Sequence, residues 1–173
     1  MTPKTVVEEL YWSGDDTVAF TEGRDFPNHV PPEITQLAGT ELEAALICVM
    51  KLRDSSGNVV GFGSELEVRP DPTISRDPID CYFTIVLPGR GAFVLYQLKR
   101  NRKASYVVDR EARPEPRDLY PTCGPAEGDR SVILAGTGEF AGVTGSHYQI
   151  MQINRSDPRE NRNVEHFEFI LPG

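Results

Sequence analysis

The stretch Leu42-Glu43-Ala44-Ala45-Leu46-Ile47-Cys48-Val49-Met50-Lys51-Leu52 decides the fold. Its even positions, Leu42, Ala44, Leu46, Cys48, Met50 and Leu52, are all apolar, while the odd ones include Glu43 and Lys51. That period of two belongs to a strand with one face buried. Asp54-Ser55-Ser56-Gly57-Asn58 supplies turn residues, and Val59 to Val68 returns with Phe62, Ser64, Leu66 and Val68 on one face. Gly61, Gly63, Glu65 and Glu67 occupy the other, and the pair of strands reads as a hairpin.

The same pattern recurs along the chain. Ile79, Cys81, Phe83, Ile85 and Leu87 alternate with Asp80, Tyr82, Thr84 and Val86, and Pro88-Gly89-Arg90-Gly91 turns into Ala92 to Lys99. Further strands are expected at Val6 to Trp12, Ala104 to Asp109, Ser131 to Ala135, His147 to Asn154 and Val164 to Leu171. Four prolines between Arg110 and Arg130 remove backbone donors, so that segment reads as a long exposed loop. With 14 Pro and 15 Gly punctuating the chain, long helices have little room. Antiparallel strands in this number form a sandwich or close into a barrel, and closure removes aggregation-prone edges. An all-β, eight-stranded antiparallel barrel spanning residues 1–173 as one domain is the expectation.

Composition narrows the function. The 173 residues carry 18 Lys+Arg against 26 Asp+Glu, a net charge of −8 that disfavours nucleic acid and anionic membrane surfaces. The start Met1-Thr2-Pro3-Lys4 lacks a signal-peptide core, no run reaches membrane-helix length, and a cytoplasmic protein is expected. Cys48, Cys81 and Cys123 are odd in number and widely spaced, which indicates neither a disulfide framework nor a zinc site. His29, His147 and His166 lie on separate segments and read as solvated or core imidazoles, so no metal and no cofactor are expected. The glycines of Gly136-Thr137-Gly138-Glu139-Phe140-Ala141-Gly142 open a strand rather than a helix, unlike a dinucleotide site. They read as a tight turn with Phe140 tucked inward.

That glycine turn, continued through Val143-Thr144-Gly145, together with the terminal Phe167-Glu168-Phe169-Ile170-Leu171-Pro172-Gly173, resembles the closing part of the allene oxide cyclase and dirigent-like barrels, a calycin-like architecture. Leu46-Ile47-Cys48-Val49-Met50 resembles their strand with a cavity-facing cysteine, and Glu9-Leu10-Tyr11 their first strand. Plant cyclases follow that segment with a glutamate and an asparagine that holds a catalytic water; Gly14 and Asp16 stand at those positions. The resemblance extends to small bacterial cyclases of polyketide pathways, such as spirotetronate cyclases, which need no cofactor. It implies a cofactor-independent cyclase of specialised metabolism, performing an intramolecular [4+2] cycloaddition or related cyclisation on an apolar, unsaturated, polyketide-like substrate. The alternative is a lipocalin- or dirigent-like protein that binds a small hydrophobic molecule without catalysis.

If Cys48 faces the lumen as the resemblance implies, so do Leu46, Met50, Phe62, Ser64, Leu66, Cys81, Phe83, Ile85, Phe93, Leu95 and Gln97. Trp12, Phe83 and Phe93 would then shape the substrate, Gln97 or Ser64 would polarise a carbonyl, and Asp16 would give acid–base help at a wet mouth. In the late strand either Tyr148, Ile150 and Gln152 or His147, Gln149 and Met151 face inward, depending on a bulge after Gly145. Segments 13–32 and 110–130 are candidate lids. Val86, Val94, Tyr82 and Tyr96 on the nominal outside suggest a homodimer or homotrimer.

Overall fold

A computed structural model describes residues 4–19, 45–68, 79–99, 117–123, 131–154 and 157–172. Ten strands form one antiparallel sheet: β1 (Lys4–Ser13), β2 (Thr17–Ala19), β3 (Leu46–Arg53), β4 (Val59–Val68), β5 (Ile79–Leu87), β6 (Gly91–Lys99), β7 (Arg117–Cys123), β8 (Ser131–Gly136), β9 (Thr144–Asn154) and β10 (Arg162–Leu171). No α-helix occurs among the described residues.

The ten strands make eight staves. β1 pairs with β10 along its whole length but meets β3 only at Tyr11, after which the Gly14–Asp16 turn shifts the chain sideways and β2 continues beside β3. The order then runs β3, β4, β5, β6. β8 pairs with β6 and approaches β9, and β7 pairs with the later half of β9 and approaches β6. β7 and β8 thus share one stave, and the sheet curls into a nearly closed barrel.

Antiparallel pairing puts directly opposed residues on the same face, so register carries burial from strand to strand. Cys48 is buried and lies opposite Glu65, Met50 lies opposite Gly63, and Leu52 opposite Gly61. β4 therefore turns Gly61, Gly63 and Glu65 inward. This corrects the expected face of β4: Phe62 is 51% exposed, and Ser64 and Leu66 are half-buried on the outer side. β5 and β6 follow the expected alternation, with Cys81, Phe83, Ile85, Leu87, Phe93, Leu95 and Gln97 inside and Tyr82, Val86, Val94 and Tyr96 outside. Leu46 packs half-buried against the core.

The late strand resolves to one alternative. No bulge interrupts β9 against β10, and His147 and Gln149 are buried while Met151 packs half-buried against the core. Tyr148 faces outward and stacks on His166, with ring centroids 4.4 Å apart. Gly145 makes this continuity possible: its φ of 149° and its approach to the Glu168 carbonyl, 1.9 Å from where a Cβ would stand, exclude a side chain.

The Arg110 to Arg130 expectation needs a second correction. Arg117–Cys123 pairs with β9 despite Pro121, and the register slips between Pro121 and Cys123, the kind of irregularity at which a sheet tolerates proline. Residues 20–32 of one expected lid, the remainder of the other, and the expected strand 104–109 lie outside the described residues. The same holds for the first turn's worth of the opening stretch, Leu42 to Ala44. No helix among the described residues is long and apolar enough to cross a membrane.

Candidate active site

The two ends of the barrel interior differ. At the end carrying the turns 54–58, 88–90 and 137–143, the core is aromatic. Phe93 meets Phe140, Phe167 and Phe169 at centroid separations of 4.8, 5.1 and 5.3 Å. Phe140 tucks inward from the glycine turn, as its sequence suggested. Arg90 covers it, its guanidinium 5.3 Å from the Phe140 centroid, and donates to both carboxylate oxygens of Glu8 at 2.6 and 2.9 Å and to Glu139 at 2.9 Å.

The other half of the interior is polar. Glu165 and Gln149 face each other across β10 and β9, both wholly buried. Trp12 Nε1–H and Gln149 Nε2–H each donate to Glu165 Oε1 at 2.7 Å, and His147 Nε2 lies 2.6 Å from Glu165 Oε2. An amide nitrogen only donates, so Gln97 Nε2 at Nδ1 makes Nδ1 the acceptor and places the ring proton on Nε2, towards Glu165. Nδ1 is then the basic nitrogen, and Gln97 Nε2 sits against it. The imidazole is held between Phe167, stacked at 4.6 Å, and Phe83 at 5.8 Å. A carboxylate that fixes one imidazole nitrogen and so orients the ring is the arrangement of acid–base dyads, with Gln97 seated on the second nitrogen.

A second buried carboxylate lies on the opposite wall. Glu65 accepts from Cys81 Sγ at 3.1 Å and Cys48 Sγ at 3.6 Å. Glu65, Glu67 and Cys81 bring one ligand atom each within 4.8 Å of one another, a thiol-and-carboxylate set that the wide cysteine spacing did not suggest.

Among the site residues expected from sequence, Trp12, Cys48, Met50, Cys81, Phe83, Phe93, Leu95, Gln97, Gln149 and Met151 are brought to the interior. Phe62, Ser64 and Tyr148 are not. Asp16 is inside the fold but not wet: it is 7% exposed and receives Arg53 Nε and Nη2 at 2.9 and 2.7 Å and the Ser13 hydroxyl at 2.9 Å. Burial pushes its carboxyl up, but the bonds from Arg53 and Ser13 and the guanidinium charge outweigh that and hold it below its ordinary value. A carboxylate so engaged fixes the β1–β2 step to β3. Sequence reasoning missed His147 and Glu165 as functional groups. The available signal was parity: Asn163 and Glu165 share the face of Phe167 and Phe169, and polar residues on an apolar face are the informative kind.

No family model matches the chain, and no curated protein matches it. Among solved structures, it is similar to pyocyanin demethylase at 15% identity and a TM-score of 0.47, covering 95% of this chain and 99% of that one. It is also similar to two pterocarpan synthase dirigent proteins. The first shows 16% identity and a TM-score of 0.49 over 98% of this chain and 86% of that one. The second shows 16% identity and a TM-score of 0.47 over 99% and 97%.

Proposed function

We propose that this chain is a cofactor-independent enzyme that folds an apolar, unsaturated, carbonyl-bearing substrate inside the barrel and assists its cyclisation with His147. The observation that carries the reading is His147 itself, 3% exposed, fixed by Glu165 on one nitrogen, met by Gln97 on the other and walled by Phe83 and Phe167. A substrate entering beside Phe83 would displace the Gln97 amide from Nδ1. Nδ1 would then accept a proton from a carbon next to the carbonyl, while the released Gln97 Nε2–H would donate to the carbonyl oxygen as it gains charge. Return of that proton elsewhere on the substrate completes an isomerisation or ring closure with no net change in oxidation state. For an intramolecular [4+2] closure the same groups act by polarising the carbonyl, and the aromatic walls supply the folded geometry. Holding reacting atoms together can remove as much as about 7–11 kcal/mol of barrier.

The test is consumption of linear polyene ketones by the purified protein against a heat-denatured control. Saturable turnover is expected, and His147→Gln and Glu165→Gln are each expected to lower it about 100-fold or more, the usual contribution of a positioned acid–base group. Unchanged rates in both variants contradict the assignment. Tight binding with no turnover instead favours a carrier that orients its guest without catalysis.

A further inference from the structure

Among the described residues, three polar side chains in the same half of the interior have hydrogen-bonding atoms without a protein partner. Gln97 is wholly buried and its Oε1 is unpartnered; Asn163 is 1% exposed and both Oδ1 and Nδ2 are unpartnered; the Ser131 hydroxyl is likewise unpartnered. Buried amides are satisfied in the great majority of folded proteins, because an unmade bond leaves the desolvation of the group uncompensated. Three such groups are not scattered. Ser131 is the residue opposite Gln97 in the β6–β8 ladder, and Gln97 touches His147. Asn163 occupies the inward position next to Glu165 on β10, about 7 Å further along the strand, between Trp12 and Met151 in the flanking ladders.

The chemistry these atoms require defines a ligand. A glutamine Oε1 only accepts, so it calls for an O–H or N–H. An asparagine with both atoms open calls for a donor and an acceptor side by side, which an ester, ketone or ether does not offer and an amide, lactam or carboxylic acid does. Resting on the proposed function, we infer that the substrate class is a hydroxylated unsaturated amide, lactam or acid. Its hydroxyl meets Gln97 and Ser131 near His147, and its amide or acid end meets Asn163 at the level of Trp12. Phe83, Phe167 and Met151 surround the apolar part between the two polar ends.

Binding alone tests this, independently of turnover, with 6-hydroxy-2-naphthamide as the probe because it carries the two polar groups at opposite ends of an apolar bicycle. Calorimetric titration of the full chain is expected to show about tenfold tighter binding of this amide than of methyl 6-hydroxy-2-naphthoate, which lacks the amide donor. A similar margin is expected over 2-naphthamide, which lacks the hydroxyl. Asn163→Leu is expected to abolish the preference for amide over ester while leaving the preference for the hydroxyl, and Gln97→Met the reverse. Because Asn163→Leu also removes an unsatisfied buried amide, the unliganded variant is expected to melt about 2–4 °C above wild type. Equal wild-type affinity for the three probes, or binding of none, overturns the inference, as does a preference that survives both substitutions. Should the preferences hold while neither polyene ketones nor hydroxylated polyene amides are consumed, the cyclase reading fails and the inference stands as the class of ligand bound.

Discussion

The two ends of the barrel are built on opposite terms. One is closed by short turns over a cluster of four phenylalanines, with Arg90 clamping the strand ends from outside. The other holds two buried glutamates, a buried histidine, and amides whose bonds are incompletely made. From that second end the chain leaves β2, β4 and β6, at residues 19, 68 and 99. The aromatic end contributes apolar burial and edge-to-face ring contacts, both favourable for folding. The polar end costs stability in the unliganded protein, and such a cost is retained where function requires the groups. The molecule thus separates the part that holds it together from the part to which the proposed function assigns a guest.

The largest effect that would break this division is at the aromatic end. Phe93→Ala is expected to destabilise the fold by about 3–5 kcal/mol, measured by denaturant unfolding, because it empties the centre of the phenylalanine cluster. A loss below about 1 kcal/mol would show that the cluster is loosely packed. At the polar end, Phe83→Ala is expected to lower turnover more than His166→Ala, since Phe83 walls His147 whereas His166 stacks on Tyr148 outside the barrel. Equal or reversed losses would remove the inward face from the account.

A smaller effect sharpens the boundary between the ends. The Asp16 carboxyl is lowered in the folded state relative to its ordinary 3.8, so the stability it gives is present above that value and lost as pH falls through its folded value. Asp16→Asn is therefore expected to be less stable than wild type near neutral pH, with the difference shrinking below about pH 4. A pH-independent difference would mean that the Arg53 contact is not electrostatic in origin. Smallest is Arg90→Met, expected to cost about 0.5–1 kcal/mol at low salt and less as ionic strength rises, because the guanidinium is 40% exposed.

How much of this was legible in the sequence depends on what each residue announces. In β3 and β5 the inward positions Cys48, Met50 and Leu52 and Cys81, Phe83, Ile85 and Leu87 are unbroken apolar series that give strand and face directly, whereas β6 is apolar on both faces and takes its face from pairing with β5. β4 misled because Gly61 and Gly63 announce no side, and because Glu65 and Glu67 look like surface carboxylates while Phe62 looks like core. Only the register against Cys48 and Met50 reveals that the glycines lie inside, where a Cβ on Gly61 would stand 2.2 Å from the Val86 carbonyl oxygen and one on Gly63 3.1 Å from the Ile85 side chain. β7 was hidden by prolines, whose local cost is absorbed by a slipped register. His147 and Glu165 were hidden because their contact is a diagonal between neighbouring strands, His147 lying opposite Phe167 and Glu165 opposite Gln149, a relation that no local spacing records. Asp16 was expected to give acid–base help at a wet mouth, but its partner Arg53 lies 37 residues away, and that bond holds the buried carboxylate as a strut.

The account stands on a guest reaching His147. A crystal structure of the chain soaked with 2-naphthol tests it most directly. The expected result is the bicycle lying beside Phe83 and Phe167 with its oxygen between His147 and Gln97, the Gln97 amide moved off Nδ1. Naphthol bound only on the outer surface, with Gln97 still seated on His147 and the interior unchanged, would contradict it.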